Sequence, residues 1–187
     1  MSLGTIILLI IVALIIYMVT IFNRFASLRA SIDAAWSDIE VQLKKRYNLI
    51  PALVEIVTSY KNYEVDTLKK VIEARKMALN ANNLEDKAKA NSILGSALGN
   101  LFAISESYPE LKANENFINL QNELSSIEES LANARRYYNA IVRDYNAKLE
   151  SFPDLIIANK FNYKPKEYFE LDENEKEAVK KMPDIKI

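Results

Sequence analysis

Residues 3–22 read LGTIILLIIVALIIYMVTIF, and no charged side chain occurs before Arg24. Gly4, Thr5, Tyr17 and Thr20 are the only breaks in a run of Leu, Ile, Val, Ala, Met and Phe. A helix of that length covers roughly 30 Å at ~1.5 Å per residue, which matches the hydrocarbon core of a bilayer. Lipid supplies no partners for backbone polar groups, so an isolated span must be helical. The competing reading is a cleaved export signal, which carries a basic leading segment and a small-residue cleavage site. Here no Lys or Arg precedes the run, and Asn23-Arg24-Phe25 follows it. The pattern favours a retained anchor. Arg24 and Arg29 flank the span on one side only, so the positive-inside bias places the N-terminus outside and the rest in the cytoplasm.

Outward from the span, helical spacing continues. Phe25, Leu28, Ile32, Ala35, Trp36, Ile39, Leu43, Ile50, Leu53, Val57 and Tyr60 recur in helical steps among charged residues. No Gly or Pro falls between Thr5 and Ile50, so one helix is expected to rise from the anchor without a flexible linker. Pro51 should kink that helix by crowding the Tyr47 carbonyl and removing a hydrogen bond, or else begin a new helix. A second long run spans residues 114–152. Its seam of Phe117, Leu120, Leu124, Ile127, Leu131, Ala134, Tyr138, Ile141 and Tyr145 steps by three and four, and Pro153 closes it.

Two shorter helices are expected between these. Residues 64–80 should bury Val65, Leu68, Ile72 and Leu79, and Asn82-Asn83 supplies a turn and an N-cap. Residues 84–107 place Ala90, Leu94, Ala97, Leu101 and Ile104 on one stripe, ending at Tyr108-Pro109. Gly95 and Gly99, four apart, are expected to let a neighbouring helix approach. Short connections make neighbours antiparallel. The expected fold is all-α, a transmembrane helix continuing into an antiparallel up-down four-helix bundle. Its parts are an anchor over 1–23, a bundle over 24–152 and a tail over 153–187, with Phe152 returning close to the bilayer surface.

Composition narrows the chemistry. The chain has no Cys and no His, which removes thiolate and imidazole catalysis and the Glu-x-x-His ligand set of di-metal bundles. Only three glycines occur, too few for a phosphate-cradling loop. A net charge of −1 argues against nucleic acid as a main partner. Glu55, Glu73, Glu106, Glu123, Glu128 and Glu129 read as solvated helix faces and ion pairs. Lys44-Lys45-Arg46 and Arg135-Arg136 could meet phosphate or lipid headgroups, but adjacent positions point around a helix and read as solvated. Tyr137, Tyr138 and Tyr145 read as packing residues with hydroxyls near water. No catalytic, cofactor-binding or metal-ligating residue is nominated.

The tail mixes Leu155, Ile156, Ile157, Phe161, Tyr163, Tyr168 and Phe169 with Lys160, Lys164 and Lys166. Docking back onto the bundle is preferred to lying on a membrane, because exposed apolar patches are uncommon. Beyond Glu170 the charged sequence is expected to be disordered.

Several blocks in order resemble the LemA family of membrane proteins. They run Ala35-Trp36-Ser37-Asp38-Ile39-Glu40 to Tyr47-Asn48-Leu49-Ile50-Pro51, then Val71-Ile72-Glu73-Ala74-Arg75 and Tyr108-Pro109-Glu110-Leu111. They continue through Ala134-Arg135-Arg136-Tyr137-Tyr138-Asn139, Ser151-Phe152-Pro153 and Phe161-Asn162-Tyr163-Lys164-Pro165. The resemblance implies an N-terminal membrane helix with a helical bundle and no catalytic activity. It also implies an envelope partner, with a membrane protease system as one candidate, and a link of some relatives to magnetosome membranes. The function expected is a non-catalytic, membrane-anchored scaffold or adaptor that can self-associate. The alternative is a protein that shapes or senses the bilayer through its C-terminal tail.

Overall fold

The computed structural model describes residues 2–60 and 65–169. The expectation of disorder after Glu170 lies outside the described residues. Those described form six helices and no strand: α1 Leu3–Thr58, α2 Val65–Asn80, α3 Leu84–Ser105, α4 Pro109–Lys112, α5 Glu115–Glu150 and α6 Asp154–Lys160. The chain divides into two compact units. One comprises Met1–Asp38 with Ala134–Tyr168; the other comprises Ile39–Asn133, with Phe169 as its last described residue.

In the first unit, the apolar opening of α1 is exposed from Leu3 to Thr20. Packing begins at Ile21 and Phe25 and continues through Ile32 and Ala35. Phe25 meets Tyr145 edge-on at 5.9 Å, and Trp36 lies 5.8 Å from Tyr138. Tyr138 and Tyr145 of the expected seam are buried, together with Val142 and Leu149, while Ala134 and Ile141 are half-buried, so Val142 takes the place expected for Ile141. The part of the tail up to Tyr168 docks on α5 here. Asn146 brackets Lys166, its side-chain amide donating to the Lys166 carbonyl at 2.9 Å while its Oδ1 accepts from the Lys166 N–H at 2.9 Å. The Tyr138 hydroxyl donates to the Glu167 carbonyl at 3.0 Å. A short helix inside the tail, α6, was not anticipated. It ends where Asn162 adopts φ 52° and the Tyr163 N–H reaches back to the Ala158 carbonyl at 3.0 Å. Asn tolerates that left-handed conformation better than other side chains, so the stop is locally encoded.

In the second unit, Glu40 pairs with Lys87, Arg46 with Asn91, and Tyr60 with Asn114. α1 and α3 thus advance in the same sense, while the Arg46–Glu128 and Tyr60–Asn114 pairs run α5 the opposite way. Asn83 caps α3 by accepting from the Asp86 N–H at 2.7 Å, as its position predicts. Pro51 lies inside α1 and the helix continues to Thr58, so Pro51 does not begin a new helix.

The buried face of α2 departs from expectation. Thr67, Leu68, Val71, Ala74 and Ala78 are buried, while Val65, Ile72 and Leu79 are exposed. The helix is turned so that its small side chains face inward. Arg75, beside Ala74, then reaches the Tyr47 carbonyl at 2.9 Å, which fixes the rotation. Gly99 is a second correction: a Cβ there would meet nothing within 4 Å, so it accommodates no close helix approach.

Candidate functional site

Two arrangements stand out, one in each unit. In the second unit a polar cluster is built around Arg46, which is only 2% exposed. This overturns the reading of Lys44-Lys45-Arg46 as a uniformly solvated face; Lys44 and Lys45 are exposed and Arg46 is not. The reason is register. Ile39, Leu43, Ile50 and Leu53 are buried, and steps of four and three place position 46 in the same seam. A guanidinium in that slot requires partners, because an uncompensated buried charge is costly. Its Nε lies 2.6 Å from Glu128 Oε1, and Nη1 donates to both the Asn91 side-chain oxygen and, at 3.3 Å, the Asn91 carbonyl. Gly95 leaves the room: a Cβ at that position would stand 3.2 Å from Arg46 Nη2. Burial lowers the Arg46 pKa from its ordinary value, opposed by the Glu128 carboxylate.

One residue on, Tyr47 begins a second polar arrangement. Pro51 has no N–H to give the carbonyl four residues before it, and Arg75 Nε supplies the missing donor. The Arg46 and Arg75 contacts hold α1 to α2, α3 and α5 through side chains with fixed geometry. They set register and carry no reactive group.

The predicted carboxylates do not converge. Glu55, Glu73, Glu123 and Glu129 are exposed, Glu106 pairs with Lys112, and Glu128 is committed to Arg46. Among the described residues, no three Asp or Glu side chains approach one another closely enough to share a cation. Tyr138 and Tyr145 are buried and Tyr137 is exposed. Burial raises the pKa of Tyr138, helped by Glu167 and Asp33. Burial likewise raises that of Tyr145, against the opposing pull of Arg29.

The surface arrangement belongs to the first unit. Residues 3–20 of α1 expose large apolar side chains all round, including Leu8, Leu9, Ile10, Leu14 and Ile16. A helix apolar on every side and covered by nothing is not stable in water, since each such side chain gains about 1.5–3 kcal/mol from burial. α1 is the one described helix long and apolar enough to cross a membrane.

These features define an all-helical chain with one candidate transmembrane helix and a helical body held together by polar register contacts. The sequence pattern described as the LemA family matches residues 35–185, and the chain belongs to that family. It is 29% identical to Protein LemA of Metamycoplasma hominis over 153 residues, covering 79% of this chain and 68% of that protein. It is 26% identical to Magnetosome protein MamQ 2 of Paramagnetospirillum magneticum over 186 residues, covering 86% of this chain and 68% of the relative. The Magnetosome protein MamQ of Magnetospirillum gryphiswaldense is also 26% identical, over 184 residues, with 84% and 68% covered.

Proposed function

We propose that this protein is a non-catalytic, membrane-anchored scaffold that presents its helical body to other envelope proteins. One observation carries the reading. The exposed apolar stretch of α1 passes without a break into a part that is buried from Ile21 onward, with Phe25 against Tyr145 of α5. Anchor and packed body therefore share one helix, and an unbroken helix transmits orientation where a flexible linker would not. Residues 1–23 act as anchor, 24–152 as body and 153–187 as tail, with the body in the cytoplasm and the N-terminus outside.

The protein-facing surface is the outer stripe of α2. Val65, Ile72 and Leu79 recur every seven residues and are 62%, 49% and 54% exposed. A seven-residue apolar period is the spacing that a straight partner helix reads. The partner is an envelope protein offering such a helix, and a membrane protease system is one source the resemblance suggests. The test is site-specific photocrosslinking in native membranes from Ile72, with Lys45 as a control site. Adducts from a crosslinker at position 72 that vanish when the flanking stripe residues are changed, Val65→Glu with Leu79→Glu, support the reading. Identical patterns from both sites, or no adduct from Ile72, contradict it.

A further inference from the structure

The chain contains a second apolar surface contiguous with the anchor. α6 presents two faces. Inward, Ile157 and Ala158 are buried, and Asp154 pairs with Lys148 of α5 at 3.8 Å. The Leu155 N–H donates to the Ser151 carbonyl at 2.8 Å and the Ser151 hydroxyl to the Ala147 carbonyl at 2.6 Å, which fastens the start of α6 to the end of α5. Outward, Phe152, Leu155, Ile156 and Phe161 are 80%, 38%, 57% and 49% exposed. So dense an apolar display on ten residues is unusual for a water-facing surface.

Its position indicates what covers it. The Phe161 ring lies 5.0 Å from that of Phe22, and a groove of about 290 Å³ is lined by Met18, Val19, Phe22, Ile157, Lys160 and Phe161. Met18 and Val19 belong to the uncharged run itself. Four residues of helix separate Met18 from Phe22, so the groove reaches roughly 6 Å along α1 into that run. Interfacial helices bury their apolar faces about 5–10 Å into the boundary between headgroups and acyl chains, the same range. Lys160 at the groove's edge has a stem long enough to keep its ammonium at headgroup level. Arg29 lies 5.8 Å over the Tyr163 ring, which stacks 6.2 Å from that of Phe161, and so adds positive charge beside the groove.

We propose that residues 152–161 are a second lipid contact: a wedge inserted into the leaflet on the body's side, with a lipid acyl chain filling the groove between α6 and α1. This rests on the reading of α1 as an anchor and adds a site to it. Two lipid contacts on one unit resist rotation and tilt about the anchor axis, which a single helix does not.

The chain has no cysteine, so single cysteines are unique reporters. The full chain carrying an environment-sensitive fluorophore at Ile156→Cys, Ile11→Cys or Lys45→Cys is reconstituted into phosphatidylcholine vesicles containing a minority of phosphatidylglycerol. Quenching by lipids with a nitroxide on the acyl chain is then compared. The wedge predicts quenching at Ile156 several-fold above that at Lys45 and approaching that at Ile11. Ile156 quenched no more than Lys45, with Ile11 strongly quenched, overturns the wedge and leaves the anchor standing. Ile11 unquenched overturns the anchor and the wedge together. To show that the dye does not draw the segment into lipid, it is moved to Leu155→Cys in an Ile156→Asp background. Loss of most of the quenching there supports the wedge, and unchanged quenching overturns it.

Discussion

Replacing Pro51 by Ala should make Arg75 partly dispensable, and the size of that effect follows from one carbonyl. In the native chain the Tyr47 carbonyl lacks its helical donor and accepts from Arg75 Nε at 2.9 Å. A hydrogen bond from a charged donor contributes about 1.5–3 kcal/mol, and the half-buried site of Arg75 puts this one near the lower end. Arg75→Ala alone should therefore cost about 1.5 kcal/mol, because a main-chain acceptor is left unpaired. In Pro51→Ala the restored N–H at position 51 points at the same oxygen. Arg75→Ala should then cost about 0.5 kcal/mol, a coupling of about 1 kcal/mol between residues on different helices. Pro51→Ala by itself should stabilise, since proline in a helix interior is up to ~3 kcal/mol worse than alanine. Urea unfolding of the four proteins in detergent, followed by far-ultraviolet circular dichroism with a shared slope, gives the cycle. Equal costs of Arg75→Ala in both backgrounds, within about 0.3 kcal/mol, would show that Arg75 does not stand in for the missing donor.

Arg46→Ala should cost about 3–5 kcal/mol in the same assay, because Asn91 and Glu128 lose the charge they enclose; a cost under about 1 kcal/mol would mean the cluster is hydrated. The two glycines of α3 should separate. Gly99→Ala gains about 1 kcal/mol from helix propensity in open space, while Gly95→Ala forfeits that gain by crowding the Arg46 guanidinium held by Glu128. Tyr138 and Tyr145 have raised pKa values, so the unfolded chain releases their protons before the folded one does. Their contribution to stability is whole below the ordinary value of 10.0 and declines as pH rises from there toward the folded values. Urea midpoints measured across that range should fall, and Tyr138→Phe should make the fall shallower. A reporter fused after Ile187 should be active only in its cytoplasmic form, and activity of an exported reporter would reverse the orientation argued from Arg24 and Arg29.

The long helices were legible because each carries its own period. Phe117, Leu124, Ile127, Leu131, Tyr138 and Tyr145 step along α5 as buried residues, and the steps alone locate them. Proline marked the boundaries at Tyr108-Pro109 and Phe152-Pro153, while Pro51 stays inside α1, where a side chain from elsewhere supplies the donor it removes. Arg46 was hidden by reading three basic residues as one unit. The signal that finds it is the gap between Leu43 and Ile50 in an otherwise regular seam. The face of α2 was misjudged by giving large side chains the interior, although Ala74 and Ala78 permit the closer approach. The tail's clasp on α5 joins Asn146 to Lys166 across 20 residues, and no local pattern announces such a pair.

The claim underneath all of this is that the uncharged opening of α1 resides in lipid and stays attached to the body. Cells expressing the chain can be fractionated, the membranes washed at alkaline pH, and the intact mass of the washed protein measured. The account predicts a species of the full 21.3 kDa remaining with the membranes. A shorter species beginning after Phe22 and recovered in the soluble fraction would contradict it.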